Sequence, residues 1–95
     1  MTTYLVFTRI VTKDQSQMDE YARTVGPTFK GHAATPLAAY GAQEILEGEP
    51  HEGMVILSFP DKAAAIGWYD GPGYREVREH RFKGADYQVT MVEGL

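Results

Sequence analysis

Residues 3–11 read Thr-Tyr-Leu-Val-Phe-Thr-Arg-Ile-Val, β-branched and aromatic, without glycine or proline. Such a run favours a strand, because branched and aromatic side chains suit a pleated surface. Successive side chains of a strand point to opposite faces. One face therefore carries Tyr4, Val6 and Ile10, and the other Leu5, Phe7 and Val11. Both sets are apolar, so this strand needs cover on both sides. Arg9 falls on the Leu5 and Phe7 face, where a charge must look into a cavity, an edge or a partner.

Downstream, Thr12, Asp14 and Ser16 offer helix caps. Met18, Tyr21, Ala22, Val25 and Phe29 then form one helical stripe. Gly26-Pro27 interrupts it, because proline lacks the amide proton that would bond Arg23. The helix is expected to resume through His32 and to end by Thr35, since Pro36 disfavours helix in the residue before it. Leu37–Glu47 reads as a strand bent at Gly41, and Glu52–Phe59 as a second strand, joined by a loose acidic loop. A helix opens at the cap Asp61 and closes on Trp68 and Tyr69. Asp70-Gly71-Pro72-Gly73 breaks it, and another helix follows from Tyr74 to Lys83 with Tyr74, Val77 and Arg81 on its inward stripe. Asp86–Val92 is the last strand. The order is βαββαβ with a divided second helix, which predicts an α+β, ferredoxin-like domain: four antiparallel strands with helices on one face.

The whole chain is one domain. It has 95 residues, no cysteine, and a net charge of −4 from nine basic and thirteen acidic residues. The missing cysteines exclude a disulfide framework, thiol catalysis and thiolate metal sites. Scattered basic residues argue against nucleic acid. No apolar run is long enough to span a bilayer, and the amino-terminal residues do not read as a signal peptide, so the expected location is cytoplasmic, without membrane association. No phosphate-binding glycine loop and no hydrolase or zinc-protease motif is present, and no cofactor is expected. Glu49-Pro50-His51-Glu52 is too short a cluster in a loop to read as a metal site, and no metal is expected.

Apolar residues on both faces of the sheet have a consequence for assembly. Helices cover one face. The other would expose more apolar surface than a monomer tolerates, so a homodimer closed sheet to sheet is expected.

Several stretches resemble a known family. Tyr21 in the first helix, Ile45-Leu46-Glu47-Gly48, and Val55-Ile56-Leu57-Ser58-Phe59-Pro60 belong to the pattern. So do Ala64-Ala65-Ile66-Gly67-Trp68-Tyr69-Asp70, Tyr74, Arg81 and Val92-Glu93-Gly94. Together, over almost the whole length, these resemble the domain-of-unknown-function family DUF1330. The resemblance implies a dimeric α+β barrel, in a superfamily that includes cofactor-free monooxygenases, lactone isomerases, polyketide cyclases and haem enzymes. The chain departs from the family pattern at Ala33-Ala34-Thr35-Pro36 and at Gly71-Pro72-Gly73, both at element ends where a pocket mouth would lie.

The candidate chemistry rests on imidazole, guanidinium, carboxylate and phenol groups. His32 suits acid/base catalysis near neutral pH, or a solvated helix end. Arg81, inward on its helix, needs a carboxylate or an anionic ligand. The resemblance pairs it with Glu47, either as a structural salt bridge or as part of a site. Arg9 and Arg81 are the groups that would hold an oxyanion. Tyr40, Trp68, Tyr69 and Tyr74 would line a pocket between sheet and helices, with Glu47 beside them. The expected function is a small cofactor-independent enzyme, a cyclase, isomerase or monooxygenase, acting on a small apolar, aromatic or polyketide-like molecule. The alternative is a non-catalytic dimeric module that binds a small ligand or serves a stress response.

Overall fold

A computed structural model describes residues 1–95. Strand β1 (Thr3–Thr12) leads into helix α1 (Gln15–Val25), which a 3₁₀ turn (Gly26–Phe29) extends. Strands β2 (Thr35–Ala39) and β3 (Gly53–Phe59) follow, then helices α2 (Lys62–Tyr69) and α3 (Pro72–Gly84) and strand β4 (Ala85–Glu93). The strands form one antiparallel sheet in the order β2-β3-β1-β4, so β1 and β3 are central and β2 and β4 are edges. This is the expected ferredoxin-like α+β plan.

Local chemistry fixes the helix starts. The Asp14 side chain accepts from the amides of Ser16 and Gln17, and Asp61 accepts from Ala64 N at 2.8 Å. Each carboxylate satisfies amides that the first helical turn cannot pair. The Ser16 hydroxyl, with the Gln17 amide behind it, lowers the Asp14 pKa.

The core lies between the sheet and the helices. Leu5, Phe7, Leu57 and Phe59 rise from the sheet to meet Met18, Tyr21, Ala65, Trp68 and Tyr74. Trp68 stacks on Tyr74 and Phe29, with ring centroids 4.1 and 4.7 Å apart. The opposite face carries Tyr4, Val6, Met54 and Ile56, all half-buried, and Val92, which is 49% exposed. Its polar residues are Thr8 and Ser58 on the central strands and Gln88 and Thr90 on the β4 edge.

Three expectations are corrected. Beyond Phe29 the chain turns through Gly31, whose φ of +82° is left-handed, so the helix does not reach His32. The strand expected over Leu37–Glu47 is β2, Thr35–Ala39, and Gly41–Pro50 is exposed and irregular. Tyr40 at φ +56° ends the extended backbone, and β3 begins only at Gly53. Val11 does not share the inner face of Leu5 and Phe7. The register against β4 slips between Arg9 and Val11, and Val11 is 42% exposed. One residue too many on β1 breaks the alternation there.

Candidate functional site

The inner face of the sheet and the helices leave a cavity of about 180 Å³ between them. Phe7, Val55 and Leu57 form its floor. Tyr21, Val25 and Phe29 close one side, Pro36, Ala39 and Tyr40 the other, and Trp68 lies between. The helical stripe supplies the first side because residues three and four apart share a face.

Two pairs of tyrosine hydroxyls connect this apolar space to buried charge. Tyr21 and Tyr74 join hydroxyl to hydroxyl at 2.7 Å. Tyr40 and Tyr87 do the same. Tyr40 and Tyr21 line the cavity. Behind them, Tyr87 and Tyr74 lie near Arg81: its guanidinium lies 5.0 Å from the Tyr87 ring centroid, and its charge lowers the Tyr74 pKa against the effect of burial. The Arg9 guanidinium lies 4.7 Å from the Tyr40 centroid.

Arg81 is 3% exposed and forms no salt bridge. Its Nη2 donates to Tyr69 Oη at 3.3 Å, its Nε meets no acceptor, and Phe7 and Phe82 give it two further aromatic faces. Arg9 Nε is 3.1 Å from Glu52 Oε1, close enough for an ion pair but without hydrogen-bond geometry. Glu52 is occupied by Thr12, whose amide and hydroxyl donate at 2.8 and 2.5 Å. Those bonds come first among the causes that lower its pKa. Burial raises the pKa values of Tyr21, Tyr74 and Tyr87, although Arg81 opposes the shift at each. These phenols therefore hold their protons at neutral pH and act as donors rather than bases.

The sequence-predicted residues divide cleanly. Arg9, Tyr40, Trp68, Tyr69, Tyr74 and Arg81 come together at and behind the cavity. His32 and Glu47 do not join them. His32 is exposed on the turn after Phe29, and Glu47 lies in the exposed Gly41–Pro50 segment. The Glu47–Arg81 pair is not formed, because β2 stops before it could carry Glu47 inward. Two members of the cluster are not foreseen from the sequence, the Tyr21 hydroxyl and Tyr87. Tyr87 was detectable, since it alternates with Val89 and Met91, the inner face of β4.

The architecture and site define an α+β domain of ferredoxin-like fold with an apolar cavity backed by tyrosines and arginines. A family model, Domain of unknown function (DUF1330), matches residues 2–95, and the chain belongs to that family. No curated protein matches the sequence. Among solved structures, a protein of unknown function from Rhodopseudomonas palustris is similar, with a TM-score of 0.75, 21% identity, and coverage of 99% of this chain and 82% of that one. A dimeric ferredoxin-like protein of unknown function from Thermobifida fusca gives 0.69 at 12% identity, covering 97% and 90%. SnoaB, a cofactor-independent oxygenase from Streptomyces nogalater, gives 0.60 at 13% identity, covering 98% and 91%. At these identities the likeness is one of fold. No helix is long and apolar enough to cross a membrane.

Proposed function

We propose that this chain is a small cofactor-independent enzyme that binds a flat, apolar molecule of one or two rings and promotes proton transfer next to a carbonyl or phenol oxygen. The observation that carries the reading is the junction of an apolar cavity of about 180 Å³ with protonated, hydrogen-bonded tyrosines. The volume is below the ~300–1,000 Å³ of sites for drug-sized ligands and cofactors, and close to cavities that take one aromatic ring. A ring occupies the space lined by Phe7, Phe29 and Trp68, and its oxygen accepts from the hydroxyl of Tyr40 or Tyr21. As an adjacent C–H loses its proton, charge moves onto that oxygen. The fields of Arg9 and Arg81 stabilise it, and neither group has to move to do so.

His32, exposed and outside the cavity wall, has no part in this scheme. The cavity wall carries no carboxylate or imidazole, so water at the mouth takes the proton. Return of the proton to another carbon is isomerisation, and attack of the enolate on a second carbonyl is cyclisation. In the monooxygenase variant the same electron-rich species reacts with O2 and itself supplies the electrons: a ring CH2 becomes C=O, and the second oxygen atom leaves as water. A large polyketide would exceed this cavity. The working unit is a homodimer closed through the Tyr4, Val6, Met54 and Ile56 face, a reading supported by the dimeric Thermobifida fusca protein of the same fold.

The absence of a side-chain base favours the second reading, a non-catalytic binder. Incubation with 2-indanone in deuterium oxide separates the two. An enzyme accelerates deuteration of the ketone's α-carbons above the buffer rate, and Tyr40→Phe slows it. Saturable binding without acceleration supports the binder.

A further inference from the structure

The cluster behind the cavity has more donors than acceptors. A guanidinium only donates, and each tyrosine pair spends one hydroxyl proton on its partner and keeps the other. Arg81 is the one buried charged residue, yet no carboxylate faces it. Its Nε and that of Arg9 are buried without a hydrogen bond. Glu52, whose Oε1 lies 3.1 Å from Arg9 Nε, supplies Arg9 with a counter-charge that it shares with two bonds from Thr12, whereas Arg81 has none. The chain has thirteen acidic residues and a net charge of −4, so the lack of a counter-charge at Arg81 is local. Aromatic faces 5.0–5.6 Å from the Arg81 guanidinium offset part of the loss of hydration but supply no acceptor.

We infer that this cluster receives the negative charge of the ligand: the molecule bound in the cavity is a small ring carboxylate. Its ring lies in the apolar space, and its carboxylate lies toward the Tyr40–Tyr87 hydroxyls and the two arginines. A carboxylate supplies what the cluster lacks, two acceptor oxygens and one negative charge. The inference rests on the cavity being a ligand site, as proposed above, and adds that the ligand is anionic before any reaction.

Benzoate and benzyl alcohol test it, since they share a ring and differ in charge. Both are titrated at pH 7 by calorimetry, with Trp68 fluorescence as a second readout. Benzoate is expected to bind at least about tenfold tighter, because charge-assisted hydrogen bonds to guanidinium are among the strong ones. Arg81→Met and Arg9→Gln are each expected to reduce that preference severalfold. Should Arg81→Met fail to fold, Arg81→Lys and Arg9→Gln carry the test. Equal affinity for the two probes, or a preference that survives in every arginine variant that folds, overturns the inference. Binding of the alcohol alone leaves the cavity reading intact and sinks the anionic ligand. Binding of neither probe sinks both.

Discussion

The Tyr40 ring is pressed against Gly53: a Cβ placed on Gly53 would lie 2.7 Å from Tyr40 Cδ1. Tyr40 reaches this position through a left-handed backbone, φ +56°, uncommon for a residue with a side chain. The contact holds its ring beside Arg9 and its hydroxyl on Tyr87. Gly53→Ala is expected to push the ring aside, as an added methyl does in any close-packed place. A loss of about 1–2 kcal/mol in unfolding free energy is predicted, measured by urea titration. Weaker binding of benzyl alcohol should accompany it, because Tyr40 is part of the cavity wall.

Trp68 is the single tryptophan, is 2% exposed and lines the cavity. Its replacement by alanine removes the stacks on Tyr74 and Phe29. The expected cost is ~3–5 kcal/mol, a large share of the stability of a small domain. Circular dichroism during denaturation measures it. In the unaltered protein, benzyl alcohol should change Trp68 emission saturably. A linear, unsaturable change would indicate no defined site.

Stability should fall at alkaline pH. Burial holds the Tyr21, Tyr74 and Tyr87 phenols above the ordinary value of 10.0. Their folded forms keep protons that the unfolded chain releases. The contribution is therefore fully present below pH 10 and is lost progressively as pH rises beyond it. Melting temperatures from pH 8 to 11 should stay level and then decline. Tyr21→Phe, which deletes one of these phenols, should flatten the decline. An equally steep fall in that variant would place the cause elsewhere.

The outer sheet face offers a test of assembly. Val6 lies centrally on it, opposite Ile56 on β3 and Thr90 on β4. Val6→Glu places a charge where a second sheet would sit, at a site only half-buried in the single chain. Light scattering should report twice the 10.6 kDa chain mass for the unaltered protein and the single-chain mass for the variant. A single-chain mass for the unaltered protein at micromolar concentration contradicts the dimer.

The legible parts of the sequence were those with a period. Alternation along Thr3–Phe7 separates the two faces of β1, of which Leu5 and Phe7 turn inward, and helical spacing places Tyr74 and Arg81 together on the buried side of α3. Asp61 as a cap and the break at Gly71-Pro72 were local signals and led to α2 and α3. What failed depended on contacts between distant segments. Nothing local in Leu37–Glu47 shows that Tyr40 will turn left-handed against Gly53 and end the strand. Glu47 consequently stays outside, and the Arg81 site is left with tyrosines in place of a carboxylate. Val11 was misplaced because a bulge has no composition signature. Its cause is a mismatch in count between two paired strands.

The two sheet edges differ in their exposure to misassembly. β2 is five residues long, contains Pro36, and is irregular in register between Pro36 and Ala38. Short length, proline and irregular pairing all make a strand a poor template for another chain. β4 is nine residues long, unbroken by glycine or proline, with charges only at Asp86 and Glu93. Aggregation of this protein, when it occurs, should therefore spread by strand addition along Tyr87–Val92.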